Sequence, residues 1–124
     1  MARIETLIVD DQDDMRLLLR TVIELANGCL SVVAEASSGP DALEQAERWD
    51  PQVVVLDAMM PEMSGLETAV RLRRRSRSLV LILCSAYLSD EVIVRARDAG
   101  FNAWLPKDQL HVLPDLIKST VGVY

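Results

Sequence analysis

A chain of 124 residues with a formal charge of −6 makes one domain, large enough to bury roughly two-thirds of the surface its unfolded form exposes. Half its residues are hydrophobic and only 4% are aromatic, so the core is aliphatic, and the acidic balance argues against nucleic acid as a partner. No apolar run approaches the roughly 18 residues of a membrane span, the N-terminus lacks a signal-peptide pattern, and Cys29 and Cys84 lie in apolar surroundings without metal-ligand spacing; the chain reads as a soluble cytoplasmic domain with reduced thiols.

Strand-like and helix-like segments alternate five times. Ile4–Val9 is an apolar run that stops at Asp10-Asp11. Asp13 can cap a helix whose apolar positions Met15, Leu18, Leu19, Val22, Ile23 and Ala26 recur at intervals of three and four, with Gly28 at its end. Residues 30–34 form a shorter strand, followed by Ser37-Ser38-Gly39 and by Pro40, which suits the first turn of a helix. Leu43, Ala46 and Trp49 form that helix's inward stripe, and Asp50-Pro51 ends it.

Val53–Leu56 is the third strand, and it stops at Asp57. A loop marked by Pro61 and Gly65 leads into a helix through about Arg75. Residues 79–84 are the most apolar run and read as a fully covered strand. Ser89 can cap the next helix and Gly100 close it, with Val92, Ile93 and Ala96 inward; 102–105 is a short fifth strand. Asp108 can cap the last helix, provided Pro114 lies in its first turns. Strands alternating with helices of this length imply βαβ units and a parallel α/β sheet.

The strand ends carry the chemistry. The first strand ends in Asp10-Asp11, the third in Asp57, the fourth in Ser85, and Lys107 follows the fifth; the second, ending in Glu35-Ala36-Ser37, adds nothing to the site. If the strand order is 2-1-3-4-5, the switch point between strands one and three brings the acids to one crevice. Three acids there repel one another unless a cation joins them, and oxygen ligands suit a hard divalent metal. A nucleophilic carboxylate, a hydroxyl and an ammonium beside such a metal fit phosphoryl chemistry.

These residues reach a family. Leu7-Ile8-Val9-Asp10-Asp11, Leu56-Asp57-Ala58-Met59-Met60-Pro61-Glu62-Met63-Ser64-Gly65, Cys84-Ser85-Ala86 and Trp104-Leu105-Pro106-Lys107 stand in order at the strand ends. With them the chain resembles, over essentially all of 1–124, the receiver (CheY-like) domain of two-component response regulators. The resemblance implies a single-domain flavodoxin-like (βα)5 fold with five parallel strands ordered 2-1-3-4-5 and helices on both faces. It implies that Asp57 accepts a phosphoryl group from a sensor histidine kinase. Asp11, Asp57 and the backbone carbonyl of Met59 would ligate Mg²⁺, with Asp10 acting through a water. Lys107 would pair with a phosphoryl oxygen, while Ser85 and Trp104 would relay the change to the face of the fourth helix, fifth strand and fifth helix.

The resemblance also implies a signalling domain and not an enzyme, one that can carry intrinsic autophosphatase activity. Asp108, where many receivers carry proline, and the 33–39 segment lean toward regulators of the NarL/LuxR type. Those use a LuxR-type DNA-binding output domain, and such a domain is expected here as a missing partner, while the receiver itself binds neither nucleic acid nor membrane. Homodimerisation on phosphorylation is a further expectation. The chain departs from the family's common choices at Ser85 and at Trp104. Met59 and Tyr87 replace polar groups that some members use near the attacking water, which predicts slow autodephosphorylation.

Plainer readings stand beside these. Asp13 and Asp14 read as helix caps and not ligands. Arg71, Arg73, Arg74, Arg75 and Arg77 read as a solvated helix end, His111 as a surface residue, Met59, Met60 and Met63 as loop packing, and Trp49 as packing beside Pro51. Competing functions are a Mg²⁺-dependent phosphohydrolase with an aspartyl-phosphate intermediate, disfavoured by Met59 where such enzymes need a second carboxylate, and a phosphate-independent pseudo-receiver.

Overall fold

Strands covered by helices on both sides must be apolar on both faces, and all four residues of the third strand are buried. The computed structural model describes residues 3–26 and 28–122, so the ends of the expected 1–124 domain lie outside the described residues. Its strands are β1 (Ile4–Val9), β2 (Leu30–Ala36), β3 (Val53–Leu56), β4 (Val80–Ser85) and β5 (Ala103–Pro106). Between and after them run α1 (Asp13–Leu25), α2 (Gly39–Trp49), α3 (Gly65–Arg75), α4 (Asp90–Ala99) and α5 (Leu113–Val121), with a 3-10 stretch, Lys107–Val112, before α5. Every strand pair is parallel and the order is β2-β1-β3-β4-β5, as expected.

The period of two along β1 divides the core. Leu7 and Val9 join Ala42 and Ala46 of α2, Ala69 and Leu72 of α3, and Ala96 and Ala99 of α4. Ile4 and Ile8 face the other way, onto Leu19 and Ile23 of α1 and Leu113 and Ile117 of α5. Helices therefore cover both faces, and both clusters leave the carboxyl ends of the strands open.

Serine hydroxyls start three helices. Ser38, Ser64 and Ser89 accept from the N–H groups of Asp41, Glu67 and Val92. Gly100 closes α4 at φ 107°, a conformation that favours glycine.

Several local expectations are corrected. Asp13 does not cap α1; it is the first helical residue, behind Gln12, and its carboxylate pairs with Arg16. The helix stops at Leu25 with Ala26 extended, and Gly28 takes φ 60° in the turn toward β2. Leu18 is exposed, which leaves Leu19 and Ile23 as the buried stripe of α1. Strand β2 runs two residues past 34, because pairing with β1 continues to Val9 and Ala36. Strands β4 and β5 each lie one residue later than the apolar runs suggested.

On α2 the buried stripe is Ala42 and Ala46, and Trp49 is exposed. Its indole N–H donates to Gln45 Oε1 at 3.1 Å, and the Arg48 guanidinium lies 5.7 Å from the ring centre. Asp50, left-handed at φ 46°, ends the helix. Asp108 does not cap α5 either. It lies inside the 3-10 stretch, and α5 begins at Leu113 so that Pro114, which lacks an N–H, falls in the first turn.

Candidate functional site

Strand register levels the site residues. Val9 aligns with Leu56 and Leu56 with Leu83, so Asp10 and Asp57 emerge side by side from β1 and β3. Ser85 aligns with Pro106, which sets Lys107 just beyond. The Asp57 N–H donates to the Val9 carbonyl at 3.3 Å and the Asp10 N–H to the Ala36 carbonyl at 3.1 Å, so the backbones entering the site are held by the last rungs of the sheet.

Lys107 joins the two inner acids. Its Nζ lies 2.8 Å from Asp10 Oδ2 and 3.0 Å from Asp57 Oδ2. The other oxygen of each acid accepts a backbone N–H two residues on, from Gln12 at 3.0 Å and from Met59 at 3.2 Å. Asp10 is 1% exposed and Asp57 7% exposed, while Asp11 is exposed. Burial alone would lower the Lys107 pKa, but hydrogen bonds to Asp10 and Asp57 and their charges outweigh it and raise the pKa.

A hard metal suits this set. Asp10, Asp11 and Asp57 each offer a carboxylate oxygen, all within 4.8 Å of one another. Lys107 offsets one of the three negative charges and leaves two, the charge of a divalent cation. All three donors are oxygen, as Mg²⁺ requires.

An open crevice of about 460 Å³ lies over these groups, lined by Asp11, Asp57, Met59, Ser85, Tyr87 and Lys107 among others. Ser85 is buried, and its hydroxyl donates to the Tyr87 carbonyl at 3.2 Å, not to Asp57. Met59 and Tyr87 are 78% and 75% exposed and stand on the crevice wall. Trp104 is half-buried against the α2–α4 side of the core, with the Arg97 guanidinium 6.0 Å from its ring centre.

Two groups of residues escaped the sequence reading. Glu35 of β2 serves the site indirectly: it pairs with Arg16 and Arg20 of α1, and Arg16 donates to the Asp10 carbonyl at 2.7 Å. Arg73 is no solvated charge. Its guanidinium donates to the carbonyls of Ser76, Arg77, Leu79 and Gly100 and to Asn102 Oδ1, so it ties the α3–β4 and α4–β5 connections together. The four surrounding arginines at positions 71, 74, 75 and 77 are exposed, as expected. Nothing local marks Arg73 among them, because the partners that set it apart, the Gly100 carbonyl and Asn102 Oδ1, come from a distant segment.

Comparison with known proteins converges on one family. The family model described as the response regulator receiver domain matches residues 6–118. The chain is 37% identical over 102 residues to the nitrate/nitrite response regulator protein NarL of Escherichia coli (strain K12), covering 82% of this chain and 47% of that protein. It is 33% identical over 104 residues to the chemotaxis protein CheY of Listeria monocytogenes, covering 84% and 86%. The solved receiver domain of the response regulator NarL from Mycobacterium tuberculosis superposes with a TM-score of 0.89 at 26% identity, covering 98% of this chain and 99% of that one. The chain thus spans about half the length of its NarL relative.

Proposed function

The chain belongs to the response regulator receiver family, whose members act in two-component signalling, and on that premise we propose that Asp57 is its phosphoacceptor. One observation carries the reading. A buried carboxylate at the mouth of a crevice has an ammonium on one oxygen and a backbone N–H on the other, beside two further acids. The ordinary role of a buried acid, a satisfied structural ion pair, calls for one partner and not for a cluster of three acids.

The donor would be the phosphohistidine of a sensor kinase. An Asp57 oxygen attacks phosphorus, the P–O bond of an acyl phosphate forms, and the P–N bond breaks with its electron pair passing to the imidazole. Mg²⁺ held by Asp11, Asp57 and the Met59 carbonyl, with Asp10 acting through a water, would offset charge on the phosphoryl oxygens. Asp11 and Asp57 line the crevice, whereas Asp10 is almost wholly buried beneath it, which supports the direct role for the first two and the indirect one for Asp10.

Lys107 already touches Asp57, so a small movement would carry its ammonium onto a phosphoryl oxygen. Ser85 would leave the Tyr87 carbonyl to donate to another phosphoryl oxygen, freeing the start of the β4–α4 loop. Trp104 would then follow inward, away from Arg97, and alter the α4, β5 and α5 face. The same proposal includes residues 1–124 as the receiver domain, homodimerisation on phosphorylation, and a LuxR-type DNA-binding output domain in the whole protein, with no nucleic-acid contact by the receiver. Met59 and Tyr87 stand where some family members carry the polar groups used near the attacking water, and their bulk would slow hydrolysis of the acyl phosphate; a lifetime of seconds would count against this.

The test is incubation with acetyl phosphate and Mg²⁺ followed by intact mass. One added phosphoryl group, absent from Asp57→Asn, supports the proposal. Continuous turnover of phosphomonoesters would replace it with a phosphohydrolase, and no adduct would replace it with a pseudo-receiver.

A further inference from the structure

We propose that Arg16 and Glu35 are positioning residues of the metal site, orienting the β1–α1 loop so that Asp10 and Asp11 face Asp57; this rests on the Mg²⁺ reading above. A cation beside three clustered carboxylates would be expected to pair with them and compete with a metal. Arg16 does neither. One Nη donates to the Asp10 carbonyl at 2.7 Å, the other pairs with Asp13, and Nε lies 3.4 Å from Glu35 Oε1. Among the described residues its partners include none of the carboxylates of Asp10, Asp11 and Asp57, although it holds the backbone that carries two of them.

That one hydrogen bond has leverage. The Asp10 carbonyl shares a rigid peptide plane with the nitrogen and Cα of Asp11. Fixing the oxygen therefore places the nitrogen and Cα of Asp11 and restricts where its exposed side chain can reach. Glu35 holds the guanidinium in place and is itself held by Arg20, at 2.6 Å, which also bonds Glu24 at 2.7 Å. The Arg16 side chain is only 16% exposed, so the fork has little freedom to turn elsewhere. Strand β2, with no residue lining the crevice, thus acts on it through Glu35.

The positioning role and simple charge predict opposite signs, which makes calorimetric Mg²⁺ titration decisive. Removing a cation near a divalent site should tighten metal binding if charge alone matters. If positioning dominates, Arg16→Gln weakens Mg²⁺ roughly tenfold, as loss of an outer partner of a metal site does. Arg16→Lys keeps the charge but loses the fork, and should also bind weakly. Glu35→Gln frees Arg16 to turn onto the acids and weakens Mg²⁺ as well, and the double variant is no worse than Arg16→Gln alone.

Wild-type affinity or better in Arg16→Gln, or wild-type affinity in Arg16→Lys, overturns the inference. Circular dichroism and metal-free melting check the fold, and if Arg16→Gln does not fold, Arg16→Lys and Glu35→Gln decide. Failure of the unsubstituted protein to bind Mg²⁺ would instead overturn the metal reading itself.

Discussion

A Cβ placed on Gly65 would lie 1.9 Å from the carbonyl oxygen of Asp57, a distance at which the backbone must move. The Gly65 N–H also donates to the Ala58 carbonyl at 2.9 Å, so the start of α3 is seated directly on the segment that carries the candidate phosphoacceptor. Gly65→Ala is expected to lower stability by about 2 kcal/mol, in the range of overpacking. It should also reduce phosphoryl incorporation, because the displaced backbone is that of Asp57. Chemical denaturation and intact mass after acetyl phosphate treatment measure the two effects.

Lys107 compensates two buried acids and occupies an oxygen of each. Lys107→Met should destabilise the metal-free protein by about 2 kcal/mol, less than a fully buried pair would lose because the lysine is partly exposed. Mg²⁺ binding should tighten, since a competing cation has gone, while phosphoryl transfer falls. Because the ammonium pKa is raised, the wild-type pair is complete below the unfolded lysine value near 10.4 and is lost only as pH climbs through the higher folded one. No loss from this pair is expected between pH 6 and 9 on that scale.

Among the described residues Arg73 has five oxygen acceptors and no carboxylate partner, and burial lowers its pKa. Arg73→Met would leave those acceptors without their donor and is expected to cost about 3 kcal/mol. Hydrogen exchange should show protection lost together around residues 76–79 and 100–102, two segments that this side chain's fan of bonds ties together.

The Cys84 thiol is pushed up to about 12, first by burial and then by the charges of Asp57 and Asp10, against the lowering effect of Lys107. Half-buried Cys29 should therefore react with iodoacetamide near pH 8 while Cys84 stays unmodified until unfolding. The raised value also carries a stability trend. The contribution is complete below the ordinary thiol value near 9.0 and is lost as pH rises toward about 12. Mass spectrometry after timed alkylation, and melts at increasing pH, check both.

Thr6 is fully buried, and among the described residues its hydroxyl has no hydrogen-bond partner. Thr6→Val keeps the shape and removes the unsatisfied group, so stability should rise by about 1 kcal/mol. A lower melting temperature would show that the hydroxyl has a partner in solution.

Much of this was legible in the residues. The limits of β1 and β3, the serine cap at Ser89 and the stop at Gly100 follow from local rules, because apolar runs and capping side chains act within a few residues of themselves. The convergence of Asp10, Asp57, Ser85 and Lys107 at one end followed from the strand order alone. Asp13 and Asp108 misled because a capping residue type does not by itself make a cap, and α1 and α5 start without one. Asp13 found Arg16, and Pro114 moved the start of α5 beyond Asp108. Trp49 misled because the small residues Ala42 and Ala46 already fill the inward face of α2.

By itself, the sequence determined the alternation of strands and helices, the parallel sheet and the acids at its carboxyl end, since each depends on pattern and chain direction. Only the tertiary structure decided which arginines matter. Arg16 and Arg73 look like their neighbours in the chain, but folding brings Glu35 to the one and the Gly100 carbonyl and Asn102 Oδ1 to the other. A guanidinium's role is set by which acceptors surround it, and those acceptors lie up to 29 residues away, beyond the reach of any local pattern.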